Sequence, residues 1–542
     1  ESRDLRTWAG ELYFEYHRGT YTSQARNKWH NRKCEFLLRD LEWLASFAPN
    51  AYPKAEIERL WKLVLLNQFH DIIPGSSVRE VYEDSERDYA IVHERGEAAL
   101  ETALRALAGP LDSSDMERPI AIFHNATVTT EASLPWNGEG PAPESLHTED
   151  EVLPVQVVKD EDGARLIFPT PMVAQGAVAV ADLRTTSPLV VPRLKVSTRR
   201  IENAHWSVRF DGNGNITSIR SQDEEPLEFI RPGALANVFQ LMDDHPLFWS
   251  AWDVEQYSFE TARDLLKADS VEVVERGPVR VAIEVIRRFR KSEIRQRISL
   301  GPTPGIRFDT IVDWHEDNKM LKVAFPLNVH SDTAKFEIQF GHANRPTHRN
   351  TSWDEARFEV CAQKWADLSE AGQGVAILND SKYGHDVLGD TMRLSLLRAP
   401  KAPDPTCDMG RHRFTYVLLP HYDDMVHSDV VAAAYALNAT PRVAAIATGA
   451  GVASATPRLV SSDDRNFVIE TVKRSEDGTH LIVRGYEAHG ARGTAFVQCG
   501  KPIQGAWKAN LEERAGDALP FDENGVRVDY RPFEIVTLRL EV

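Results

Sequence analysis

The hydrophobic period of this chain changes once, near residue 110, and that change limits the folds open to it. A period near 3.6 marks an amphipathic helix; a period of 2 marks a half-buried strand. Within 25–47 the apolar residues Trp29, Phe36, Leu37, Leu41, Leu44 and Phe47 recur at helical spacing. Within 54–69, Ile57, Leu60, Trp61, Val64, Leu65 and Phe69 do the same. A third helix is expected after Pro74 and Gly75, with Ser77 and Glu80 spaced as a capping box. Its apolar face is Val81, Tyr82, Tyr89, Val92, Leu100, Ala103, Leu104 and Leu107. Three helices with short connections predict a small antiparallel bundle over 1–110. The string Gly109-Pro110-Leu111-Asp112-Ser113-Ser114 reads as its exit linker.

After residue 117 the pattern is that of short strands. Strands are expected over 119–128 and 152–158, and 525–542 alternates again. Segments 279–289, 294–300, 307–314 and 321–327 are expected to run as adjacent antiparallel strands. Gly212-Asn213-Gly214-Asn215 has hairpin-turn chemistry. Long β segments with few helices predict sandwich layers, not βαβ units. The fold class is therefore multidomain α+β, a three-helix bundle followed by mostly antiparallel β-sandwich domains. The small sandwich is placed at 111–190 and a large supersandwich at 191–542, with Pro188 to Pro192 as the separator.

Composition excludes several functions. At 42% hydrophobic and 27% charged, the chain is not disordered. No run of about 18 apolar residues exists to span a membrane. A net charge of −18 disfavours nucleic acid as a partner. Cys34, Cys361, Cys407 and Cys499 are widely spaced, which argues against a disulfide framework and fits a reducing, cytoplasmic location. The start at Glu1, without initiator Met or a signal-peptide pattern, is expected of a chain that begins inside a longer protein.

His70 and Asp71 lie in Asn67-Gln68-Phe69-His70-Asp71-Ile72-Ile73-Pro74-Gly75-Ser76-Ser77, where Pro and Gly are expected to stop the second helix and turn the chain. An imidazole can ligate a divalent metal, and a neighbouring carboxylate can accept hydrogen bonds from sugar hydroxyls. Alone, such a pair is more often a surface or capping feature. Other conspicuous residues read blandly: Trp249 and Trp252 as core or domain-interface aromatics, and Glu83, Asp84, Glu86 and Asp88 as a solvated helix face.

The string 67–77, preceded by Leu60-Trp61-Lys62-Leu63-Val64-Leu65-Leu66, resembles a signature of glycoside hydrolase family 38, the class II α-mannosidases. Gly10-Glu11-Leu12-Tyr13-Phe14-Glu15-Tyr16-His17-Arg18-Gly19-Thr20-Tyr21-Thr22-Ser23 is similar to the opening of that family's helical middle domain. Asn379-Asp380-Ser381-Lys382-Tyr383-Gly384 and Leu394-Ser395-Leu396-Leu397-Arg398-Ala399-Pro400 are similar to its large sandwich, and Asp404, Gly410, His412, Pro420 and His421 continue the match. The resemblance spans essentially the whole chain and is strongest to the cytosolic or vacuolar subgroup and its bacterial relatives.

The resemblance implies a metal-dependent, retaining hydrolase of terminal α-D-mannosyl linkages acting on mannose-containing oligosaccharides. It implies His70 as one ligand to a divalent metal, zinc in the family, and Asp71, Arg398, Tyr383 and His17 as substrate-binding, with Glu15 and Arg18 near the cleft. The alternatives are an interface ion pair for Arg398, aromatic packing for Tyr383 and simple packing for His17. Family members carry an N-terminal α/β domain with a His-x-Asp metal motif, the Asp nucleophile and the acid/base Asp, and nothing here resembles it. A retaining glycosidase needs two carboxylates roughly 5 Å apart, and catalytic zinc takes about three protein ligands. No catalytic residue is therefore expected in this chain, and it is expected to be inactive alone, with the N-terminal catalytic domain as its missing partner. His70, Asp71, Arg398 and Tyr383 are expected to cluster on one solvent-facing edge. The competing reading is a non-catalytic carbohydrate-binding or assembly subunit, and a homo-oligomer stays open.

Overall fold

The structure, a computed structural model, describes residues 5, 7–48, 52–172, 176–188, 190, 193–449 and 458–542. The separator expected at Pro188 to Pro192 lies partly outside the described residues, at 189, 191 and 192.

Three helices open the fold: α1 (Ala25–Phe47), α2 (Lys54–Asn67) and α3 (Arg79–Ala108). The helix α1 is the central one. It packs on α2 and α3, on a later helix α4 (Val430–Asn438, after a single turn at Ser352–Ala356), and on the strand Phe467–Arg474. It therefore buries charged residues, among them Arg32, Arg39, Asp40 and Glu42, as well as Leu37, Leu41 and Leu44. The α2 helix behaves differently from its sequence pattern. Ile57, Leu60 and Val64 are buried, but Leu65 and Phe69, counted in the same stripe, are exposed. The expected capping box is absent: Val78 holds the N-cap position of α3 with no side-chain cap, and the Ser77 hydroxyl instead donates to the Asp71 carbonyl at 2.7 Å.

The small sandwich stacks a five-stranded sheet on a three-stranded one around Ile120, Ile122, Leu166 and Phe168. Its larger sheet takes an edge strand, Arg442–Ala445, from far downstream, paired antiparallel to Pro119–His124. The large sandwich faces a nine-stranded sheet with a six-stranded sheet. Strands Val281–Phe289, Ser292–Leu300 and Ile306–Trp314 are adjacent as expected. The fourth expected neighbour, Lys319–Pro326, crosses to the six-stranded sheet instead, between Val238–Asp243 and Thr391–Arg398. The reason is visible in its burial: six consecutive residues, Met320 to Phe325, are inside, with Lys322 paired to Glu359 and Asp386. Ile306–Trp314 takes Gly410–Tyr422 as its neighbour. The Gly212–Asn215 turn joins Trp206–Phe210 to Ile216–Ser221, with Gly214 at φ +72° and the Asp211 carboxylate accepting from Asn213 and Asn215. Residues 458–542 close the chain with two further sheets, whose core is continuous with that of the helical bundle.

Candidate functional site

The α2 helix ends at Asn67, three residues before His70, so the His70-Asp71 pair sits on a turn, not on the helix. The turn then runs on to a position that requires glycine. Gly75 has φ +91°, and a Cβ there would lie 2.5 Å from the Ser23 carbonyl oxygen, so only glycine fits. His70 and Asp71 project into solvent, with side chains 74% and 53% exposed and His70 Nε2 3.3 Å from Asp71 Oδ2. The Phe69 ring lies beside the imidazole, centroids 4.4 Å apart.

The backbone of this turn is held from below. Asn27 Nδ2 donates to the Ile72 carbonyl at 3.0 Å and Lys28 Nζ to the Ile73 carbonyl at 2.7 Å. Lys28 also donates to the Ser23 carbonyl, is 4% exposed, and is pulled down to about pKa 7 by burial. Gln68 Nε2 donates to Asn31 at 2.9 Å and to Glu35 at 2.8 Å, and the Asn67 amide donates to Asp88 at 3.1 Å. The first turn of α1 is fixed in turn by Asp408, whose carboxylate accepts from the backbone of Gln24 and Ala25. Two side chains are thus presented to water on a rigid support, the arrangement a ligand or substrate contact requires. Asn27 and Lys28 escape a sequence reading because nothing in their spacing separates them from residues of a solvated helix face.

Arg398 does not join the pair at the surface. It ends the strand Thr391–Arg398 with no solvent exposure, and all five of its N–H groups are used. Its Nε and Nη2 bind the Asp244 carboxylate at 2.9 and 3.0 Å, and its remaining donors reach Ser23 Oγ and the carbonyls of Ser250, Ala251 and Asp253. The expectation of Arg398 at an open edge is therefore corrected: it is an ion-paired clamp tying the leader at Ser23 to the loop 244–253. It lies under the His70 turn, since Ser23 is the residue against which Gly75 packs.

Tyr383 is likewise buried, at 9% exposure, with the Arg32 guanidinium 4.7 Å from its ring centroid. Burial raises its hydroxyl pKa, with Arg32 opposing. It belongs to the support, not to an exposed edge. His17 is half-buried, its ring stacked on Phe14 at 4.1 Å and its Nδ1 3.3 Å from the Glu15 carbonyl. Glu15 is exposed, whereas Arg18 is buried against Asp253 and the Phe358 ring. Of the sequence-derived set, only His70 and Asp71 stand together in solvent.

Large apolar side chains are exposed on the segments Arg398 ties together: Phe14 and Tyr16 on the leader, Phe69 on the turn, and Phe248 and Trp249 on the loop. Trp249, expected in a core or interface, is 65% exposed, with Trp252 edge-on at 5.7 Å. Glu83, Asp84 and Glu86 are exposed as expected of a solvated face. Among the described residues, no group of three or more His, Cys, Asp or Glu side chains is arranged to hold a metal ion. His70 alone falls short of the three or so ligands of a catalytic zinc.

Residues 15–107 match the alpha mannosidase middle domain, 201–406 the glycosyl hydrolases family 38 C-terminal domain, and 466–538 the family 38 C-terminal beta sandwich domain. The chain belongs to glycoside hydrolase family 38. It is 38% identical to alpha-mannosidase 2C1 of Homo sapiens and 34% identical to alpha-mannosidase of Saccharomyces cerevisiae, each match covering 100% of this chain but only 51% and 49% of the relative. The chain thus spans about half the length of the curated relatives it matches. A solved alpha-mannosidase from Enterococcus faecalis V583 has the same fold, with TM-score 0.78 at 19% identity over 97% of this chain and 68% of that one.

Proposed function

We propose that this chain forms one wall of the active site of a retaining α-mannosidase whose catalytic carboxylates are carried by a further, N-terminal domain. The observation that carries the reading is the exposed His70-Asp71 pair on a turn pinned by Asn27, Lys28 and Gly75, in a family 38 chain of half the relatives' length. In this reading His70 supplies one ligand to a divalent metal, zinc by family resemblance, and the partner domain supplies the others. Asp71 accepts hydrogen bonds from mannose hydroxyls. The substrate is a mannose-containing oligosaccharide with a terminal α-D-mannosyl linkage. The exposed Phe14, Tyr16, Phe69, Phe248 and Trp249 are the face on which the catalytic domain packs, since an apolar patch of this kind marks an interaction surface. Arg398 and Tyr383 act only through the support.

The chain alone is inactive in this proposal, because the one imidazole of the pair, His70, neither holds zinc by itself nor cleaves a glycosidic bond. Four free cysteines, three of them buried, support a reducing, cytoplasmic location. Among the described residues no helix is long and apolar enough to cross a membrane.

The test is metal content and turnover of 4-nitrophenyl α-D-mannopyranoside by the full-length protein, with His70→Ala alongside. Loss of bound metal together with turnover is expected. Undiminished metal and turnover in the variant would remove the assignment, and turnover by the 542-residue chain alone would remove the claim of a partner domain.

A further inference from the structure

Alternation along the strands makes one outer face of the nine-stranded sheet polar. In Ile306–Trp314, the residues Ile306, Phe308 and Val312 enter the core between the large sheets, which turns Arg307 and Asp309 outward. In the neighbouring strands Ser292–Leu300 and Gly410–Tyr422 the same alternation turns Arg295, Arg297 and Arg413 outward. The small sandwich stands over this face and leaves a cavity of about 550 Å³, within the range of small-molecule sites. Trp29 and Lys33 of α1, and Thr440 just beyond α4, complete its lining.

The two walls are joined at fixed points. Gln156 Oε1 of the small sandwich accepts from the backbone N–H groups of Val279 and Arg280, each at 2.9 Å. Arg280, only 6% exposed, donates to Glu131 of the small sandwich at 2.8 Å and to Glu275 at 2.7 Å. Arg413 and Asp162 pair from wall to wall at 2.6 Å. The polar groups between these ties stay accessible. Arg307 and Asp309 are 26% and 32% exposed although they belong to an interior strand of the sheet, and that surface opens onto the cavity they line.

Charge decides the ligand class. Cations and acids of the lining neutralise each other: Lys33 pairs with Asp380, Arg280 with Glu131, Arg295 with Glu284, Arg307 with Asp309 and Arg413 with Asp162. A charged ligand would therefore meet its own sign as well as the opposite one. Donors are nonetheless left over. Arg307 holds Asp309 through Nε at 3.0 Å and Nη2 at 2.8 Å, leaving Nη1 unused among the described residues. Half-buried Arg165 donates only through Nη2, to Ser133 Oγ at 2.5 Å. The carboxylates keep lone pairs that accept. Donor and acceptor edges side by side suit sugar hydroxyls, each of which accepts and donates at once. Half-buried Trp29 adds aromatic surface for ring C–H groups.

We infer that the cavity between the small sandwich and the nine-stranded sheet is a carbohydrate site, taking a neutral oligosaccharide whose hydroxyls accept from Arg165 and Arg307 and donate to Asp309. It is lined by neither His70 nor Asp71, and it does not rest on the mannosidase reading.

Isothermal titration calorimetry of the 542-residue chain tests it, with α-1,2-mannobiose, maltose and sodium phosphate titrated separately. Saturable one-site heat with a disaccharide is expected. The affinity should fall about tenfold or more in Arg307→Gln, as loss of a charged hydrogen-bond partner predicts. Thr440 is exposed on the lining, so Thr440→Trp obstructs the cavity without entering the core and should weaken the same binding. Thermal melting checks that both variants fold, and the exposed position of the second keeps the test open if the first does not. His70→Ala should bind as the parent does, which separates this outcome from that of the proposed mannosidase wall. No saturable heat with either disaccharide, displacement of the sugar by phosphate, loss of binding in His70→Ala, or undiminished affinity in the folded cavity variants would overturn the inference.

Discussion

Replacing Arg398 by methionine separates a buried clamp from a substrate contact. Neither Arg398 nor Asp244 reaches solvent, and the pair is bidentate. Arg398→Met leaves the Asp244 carboxylate buried without its counter-charge, at a cost of roughly 3–5 kcal/mol. The carbonyls of Ser250, Ala251 and Asp253 also lose a donor, at roughly 1–3 kcal/mol for any that finds no replacement. A loss near 5 kcal/mol is therefore expected, comparable to the low end of whole-domain stability, about 5–15 kcal/mol. Asp244→Asn alone should also be costly, because it leaves the guanidinium unneutralised. The double variant removes both charges and should recover part of the loss, with a coupling energy above about 2 kcal/mol. Urea unfolding followed by tryptophan fluorescence suits the measurement, since Trp249 and Trp252 sit in the clamped loop. Limited proteolysis at 245–253 reports the same release locally. An Arg398→Met cost under about 1 kcal/mol with no coupling to Asp244 would refute the clamp.

Other outcomes follow from the same geometry. Gly75→Ala places a Cβ 2.5 Å from the Ser23 carbonyl at a positive φ, so the His70 turn must shift; faster hydrogen exchange over 71–77 and a stability loss of roughly 1–3 kcal/mol are expected. Lys28→Met frees the Ser23 and Ile73 carbonyls and should loosen the same segment without disturbing exchange in residues 525–542. Burial depresses His412 to about 3 and His30 and His385 to about 4, so the folded chain binds fewer protons than the unfolded one between these values and the usual histidine range. Stability is then fully present above about pH 6.5 and falls as pH drops toward 4, by up to ~1.4 kcal/mol per unit for each histidine. Urea midpoints at pH 7, 6 and 5 check this, and His412→Gln should flatten the slope.

The residues behind the exposed His70-Asp71 pair lie on one mechanical path. Arg398 holds Ser23, Ser23 receives Lys28, and Lys28 and Asn27 hold the carbonyls behind His70 and Asp71. A substitution in the sandwich at residue 398 can thus alter an exposed turn of the helical region without touching it.

The local code was enough for the elements. The 3.6-residue period over 25–47 placed α1 at its observed bounds, Gly212 to Asn215 formed the hairpin its turn residues demand, and Pro74-Gly75 turned the chain after α2. These features depend on backbone geometry and side-chain periodicity within a few residues, which a sequence carries directly. The motifs likewise led to family 38. What the sequence could not decide was which side of an element meets another. Leu65 and Phe69 fit the apolar stripe of α2 yet face water, and Lys319–Pro326 has the pattern of the next strand yet enters the opposite sheet. Arg398 shows the physical reason most clearly. An arginine beside an apolar run is compatible with a pocket wall or a buried ion pair, and the choice belongs to Asp244, some 150 residues away in sequence, whose carboxylate only the tertiary fold brings within 2.9 Å.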